Sequence, residues 1–140
     1  MTEEAALEKV NEDSKDFFTG RNLKKVEVYF SSLPPQYHHL LVKRLVWTAA
    51  EHDVELVTRF FNLAVSKGLC SADSFEKGLT PLAEVIIDIA DEAPKVSHML
   101  AMMAKGASLD ERRLSNLASK SSDSDQFFAL LRYVNSRRTY

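Results

Sequence analysis

FEKGLTPLAEVIIDIADEAP, residues Phe75 to Pro94, decides the fold class. Its apolar residues Phe75, Leu79, Leu82, Ile86 and Ile89 are spaced 4, 3, 4, 3. That period keeps them on one face of an α-helix and does not match the alternation of a strand. Ser71 stands where such a helix would take its N-cap. Thr80-Pro81 interrupts the run. Proline in a helix interior removes a hydrogen bond and clashes with the preceding turn, so a kink or a restart is expected there.

The same periodicity extends in both directions. Leu7, Val10, Phe17 and Phe18 form one helical face, with Gly20 as its stop. Leu23, Val26, Phe30 and Leu33 form a second stripe, ended by Pro34-Pro35. A third helix, about Tyr37 to His52, is apolar on most sides, which predicts a central, buried position. Asp53 can cap a fourth, carrying Val54, Val57, Phe60, Phe61, Ala64 and Val65, with Gly68 as its C-terminal stop.

Beyond Pro94 a sixth helix would bury Val96, Met99, Leu100 and Met103 and stop near Gly106. Ser108-Leu109-Asp110-Glu111 has the S-x-x-E pattern of a capping box and opens a seventh with Leu114, Leu117 and Ala118. Asp123 with Gln126 would cap a last helix carrying Phe127, Leu130, Leu131 and Val134, and the tail from Asn135 is expected to fray. The expected fold is all-α: a HEAT-like helical-hairpin solenoid of seven to eight antiparallel helices. A closed helical bundle is the competing arrangement.

At 140 residues the chain reads as one domain, residues 1–140, able to bury a core without disulfide or metal staples. The formal net charge of −2 argues against a dedicated nucleic-acid binder, which is basic overall, but leaves room for a local basic patch. Cys70 is the only cysteine, so no internal disulfide can form. No apolar run approaches the roughly 20 residues that cross a bilayer, and the start is acidic at Glu3, Glu4 and Glu8, unlike a signal peptide. A cytoplasmic location is expected, as a monomeric domain within a larger protein.

Catalytic constellations are not apparent. His38-His39 and His52 lack metal-ligand spacing, and a helix-end role fits them better. Cys70 precedes a helix start, which lowers a thiol pKa somewhat, but its apolar neighbour favours packing. Phosphate-binding glycine loops and the GxSxG context are missing. The reading is a non-enzyme with no cofactor and no metal. The clusters Arg21, Lys24, Lys25, then Lys43, Arg44, and then Arg132, Arg137, Arg138 are not interleaved with aromatics as single-strand binders require, Tyr133 and Tyr140 coming nearest. They read as solvated faces, and Met99, Met102 and Met103 as core filler.

One feature goes beyond what folding needs. Glu84, Asp88, Asp91 and Glu92 lie along one helical stripe, closed by Pro94, with no Lys or Arg between Lys77 and Lys95. Like charges four residues apart destabilise a helix by a few tenths of a kcal/mol per pair. Acidic residues before a helix starting at Pro94 also favour that N-terminus. A basic partner would explain the rest.

Phe75-Glu76-Lys77-Gly78-Leu79 followed by Asp88-x-x-x-Glu92-x-Pro94 resembles the signature of the MA-3 domain family, in which a Gly-Leu or Gly-aromatic helix runs into D-x-x-x-D-x-P. The likeness covers about residues 12–105, with 106–140 as a helical extension. Leu63 to Ser71 and Asp88 to Lys95 are most similar to MA-3 domains of fungal translation initiation factor 4G scaffolds. The resemblance implies a HEAT-like fold without catalysis that binds the DEAD-box RNA helicase of initiation factor 4A. Asp88 and Glu92 would contact its basic N-terminal lobe, Pro94 would fix the turn, and Glu84 and Asp91 would assist. Glu92 stands where the family has Asp, and its extra methylene alters the geometry of a bidentate Arg contact. Direct RNA binding through the Arg/Lys clusters, or an MA-3 module of a nuclear RNA-processing protein, are the alternatives.

Overall fold

The computed structural model describes residues 1–49, 53–90 and 95–120, the side chains of 85–90 and 95–98 excepted. Throughout these residues the regular structure is helical: α1 (Glu3–Gly20), α2 (Val26–Ser31), α3 (His38–Ala49), α4 (Val54–Ser66), α5 (Ala72–Ala90), α6 (Lys95–Gly106) and α7 (Glu111–Ser119). Short 3-10 turns at Leu23–Lys25 and Pro35–Tyr37 lead into α2 and α3. The helix expected around Phe127 to Val134 lies outside the described residues.

Helices pack mainly on the next but one. Along one row α1 meets α3, α3 meets α5 and α5 meets α7; along the other α2 meets α4 and α4 meets α6. Cross-links between the rows run α3 to α4 and α5 to α6. The core between them is aromatic. Phe60 of α4 has its ring centre 4.7 Å from that of Phe17 on α1 and 5.7 Å from that of Phe30 on α2. Phe61 meets Phe75 of α5 at 5.2 Å. Tilted, stacked and edge-to-face in turn, such pairs add about 0.5–1.5 kcal/mol each beyond the area they bury.

The helix ends follow local chemistry, with one departure from the sequence reading, at the start of α7. Asp53 caps α4 by accepting from the Leu56 N–H at 3.1 Å, and Ser71 caps α5 by accepting from the Ser74 N–H at 3.2 Å, as expected. Gly68, at φ +67°, closes α4 with the paired Gly68 N–H to Val65 and Leu69 N–H to Ala64 bonds of a Schellman turn. Helix α1 stops at Gly20, as expected, with Arg21 as the left-handed residue beyond it (φ 53°). The anticipated capping box of α7 does not form, because its N-cap lies two residues further on, with Arg113 at N3. Ser108 (φ 56°) finishes the Schellman turn of α6, and Asp110 caps α7 by accepting from the Arg113 N–H at 2.9 Å. Ser108 cannot serve both ends, because an N-cap needs extended backbone.

Of the kink or restart expected at Pro81, the restart does not occur, since helix α5 runs through it. Proline there leaves only the Lys77 carbonyl without its usual donor, and Lys77 lies exposed to water. Thr80, one residue earlier, donates its hydroxyl to the Glu76 carbonyl at 2.7 Å and stays tied to the helix. Packing of Phe75, Leu79, Leu82 and Ala83, all buried, outweighs the lost bond.

In α1 the buried stripe is Ala6, Val10, Ser14 and Phe17, so Leu7 faces outward, 45 % exposed. The third helix is as central as its composition implies except at Trp47, which is 39 % exposed. Of the methionines, Met103 is fully buried and Met102 packs on the core from its edge, in keeping with filler.

Candidate functional site

Glu84 begins the acidic stripe on α5 and is exposed, while its neighbours Leu82 and Ala83 are buried. No ion pair holds it among the described residues. Asp88 follows one helical turn later on the backbone of the same helix. Asp91, Glu92 and Pro94 lie outside the described residues. The structure therefore places one of the five expected partner-binding side chains on a solvent face, locates the backbone of a second, and does not bear on the other three.

Glu84 differs from several other described carboxylates, which are engaged, though Glu3, Glu4, Glu8 and Glu12 of α1 are likewise exposed and outside any ion pair among the described residues. Asp73 and Glu76 of α5 hold Arg113 of α7. Glu27 of α2 meets Lys67 at 3.1 Å. Asp16 of α1 accepts from Lys25 at 2.8 Å and from the Tyr29 hydroxyl, and these donors hold its carboxyl below the ordinary range. Asp53 is held low by Arg21 and then by the Leu56 N–H. Each ties one helix to another or caps one, so Arg21 and Lys25 of the first basic cluster form structural ion pairs, while Lys24 is exposed.

The residues weighed for catalysis have structural work. His38 is buried, and its Nε2 lies 2.8 Å from the Phe30 carbonyl and 3.0 Å from that of Leu33. Two carbonyl acceptors require the Nε2–H form, which serves backbone oxygens left over where α2 ends. His39 is driven below its usual pKa by burial and by Lys77. Burial also pushes the Cys70 thiol up to about 12, opposite to the lowering expected from its position before a helix. Among the described residues no group of three or more His, Cys, Asp or Glu could hold a metal ion.

A second surface feature lies between α1 and α3, a groove of about 500 Å³. Helix α1 contributes Ser14, Lys15, Phe18 and Thr19; helix α3 contributes Arg44, Trp47 and Thr48. Among the described residues the lining holds two cations and two aromatics and no carboxylate. Sequence reading had separated Lys43-Arg44 from any aromatic. Yet Trp47 lies three and four residues on from them, which puts all three on one helical face, and that spacing was the available signal. Lys15 and Phe18 arrive from another helix, a juxtaposition only folding produces.

Searches against protein-family models, curated proteins and solved structures give no match to this chain. Among the described residues no helix is long and apolar enough to cross a membrane.

Proposed function

We propose that the chain is a non-catalytic interaction module that docks a basic partner through the acidic stripe of α5 and the segment after it. The observation carrying this reading is Glu84. It is an exposed carboxylate, in no ion pair among the described residues, on a helix whose other face is locked into the core, with Asp88 one turn further along. Complementary charge of this kind sets register and encounter rate, while neighbouring apolar groups supply most of the affinity. The alternating contacts of the two helix rows favour a HEAT-like stack over a closed bundle, which would give the stripe a stiff support.

The resemblance of Phe75 to Pro94 to MA-3 domains names the partner class: the DEAD-box helicase of initiation factor 4A, bound at its N-terminal lobe. In this proposal Asp88 and Glu92 make the charge contacts, Glu84 and Asp91 extend them, and Pro94 orients the turn. The protein would then act as a cytoplasmic scaffold module in translation initiation. The test is titration of the isolated N-terminal helicase lobe at low salt with the parent chain and with Asp88→Lys/Glu92→Lys. A loss of about tenfold or more, at unchanged thermal stability, is expected from reversing two charges at a complementary interface. Equal affinity of the two proteins would sink the site.

A further inference from the structure

We propose that the groove between α1 and α3 is a binding site for single-stranded nucleic acid, with Trp47 as the base-stacking platform and Lys15 and Arg44 as phosphate contacts. The two surfaces differ in charge, and this inference does not rest on the acidic stripe.

Trp47 is the starting point. It is the sole tryptophan of the chain and is 39 % exposed on a helix whose other large apolar side chains are buried or half-buried. A tryptophan left in water forfeits a large apolar gain, which a ligand's flat face can recover. Along α3 it is preceded by the exposed cations Lys43 and Arg44, one turn away. Across the groove Lys15 is exposed, and Phe18, one turn on from it, rests its ring 5.3 Å from that of Phe17. Phe18 is thereby braced from behind by the core.

The chemistry of this lining selects its ligand. Cations without a carboxylate among them attract an anion, and an exposed indole beside them favours a planar aromatic group joined to it. A nucleotide has both at adjacent positions, and single-strand binders combine a cationic track with stacking aromatics in this way. The volume lies within the range of about 300–1,000 Å³ that holds small organic groups. Overall charge does not oppose binding at short range. At physiological salt charges beyond about 8–10 Å are largely screened, and among the described residues the charged groups that line the groove are Lys15 and Arg44.

Because no second tryptophan competes, indole fluorescence reads occupancy of this groove directly. An oligouridylate of about eight nucleotides, within the site size such proteins cover, is titrated into the full chain. Quenching is expected, with affinity falling about sevenfold between 50 and 200 mM salt if two phosphates are contacted. Lys15→Glu and Arg44→Glu, both at exposed positions, should each weaken binding about tenfold with unchanged circular dichroism. Trp47→Ala, followed by anisotropy of a labelled oligonucleotide, should weaken it by a similar factor because stacking is lost. Asp88→Lys should leave quenching intact, which separates this site from the proposed protein-docking stripe. The proposal is overturned if oligouridylate gives no quenching, if the charge-reversed variants bind as the parent does, or if a polyglutamate peptide quenches where the oligonucleotide does not.

Discussion

A Cβ built on Gly106 of α6 would stand 2.7 Å from the Thr58 carbonyl oxygen of α4 and 2.9 Å from its Cγ2. The two helices approach so closely that only a missing side chain fits between them. Thr58 is fully buried there and turns its hydroxyl back to donate to the Val54 carbonyl at 2.8 Å. Gly78 of α5 plays the same part against α3, where a Cβ would overlap the Val42 side chain. Val42 is β-branched, with little rotamer freedom to give way.

Gly106→Ala and Gly78→Ala should therefore destabilise by about 1–3 kcal/mol each, the range of overpacked cores. Helix propensity alone predicts a gain of up to about 1 kcal/mol. Gly20, at the end of α1, has nothing within 4 Å of its would-be Cβ, so Gly20→Ala should stabilise by about 0.5–1 kcal/mol. Chemical denaturation of the three variants checks the contrast, and three stabilised variants would contradict the close approach.

Replacing His38 by Ala removes the donor shared by the Phe30 and Leu33 carbonyls and opens a gap beside Phe30, whose ring centre is 5.1 Å from the imidazole. A loss of about 1–3 kcal/mol is expected from the lost donor and the gap, the Phe30 carbonyl keeping the Leu33 N–H at 3.3 Å. Thermal unfolding measures it.

Asp13 carries a different signature. Its carboxylate is only 14 % exposed, and Oδ2 stands 3.5 Å from Lys9 Nζ without a hydrogen-bond partner. Burial outweighs Lys9 and raises its pKa. A raised folded-state pKa means that Asp13 costs stability as pH rises from the unfolded value, about 3.9, through the folded one. Asp13→Asn should melt higher than the parent near neutral pH, and the advantage should vanish at about pH 3. Melting curves across pH test the sign.

Asp53 acts in the opposite sense. Its lowered pKa gives stability that is present above the unfolded value and lost as pH falls through the folded one. Asp53→Ala should cost about 1 kcal/mol near neutral pH through the lost cap on α4. It should also flatten the acid limb of the stability profile. An unchanged limb would show that the Arg21 contact carries no weight in solution.

The Cys70 thiol, raised to about 12, should resist alkylation. At about pH 8 its rate with iodoacetamide should be far below that of a free thiol, since the thiolate is the nucleophile, and should still be climbing at about pH 10. Rapid labelling at neutral pH would contradict its burial.

Sequence alone determined the helices, because a 3.6-residue period is written locally and needs no neighbour to be read: Phe75, Leu79 and Leu82 lie where the spacing put them. Caps were legible where one residue had one local role, as at Asp53, Ser71 and Gly68. They were misread where two elements competed for the same residue, as at Ser108. Gly106 ends α6 as expected and is also a point of contact. Its role depends on Thr58, some 48 positions earlier. Likewise the exposure of Glu84 and the meeting of Lys15 with Trp47 are properties of surfaces built from several helices. Periodicity says which residues share a face, but only the packed structure decides what that face meets, since close approach and desolvation are set by residues distant in the chain.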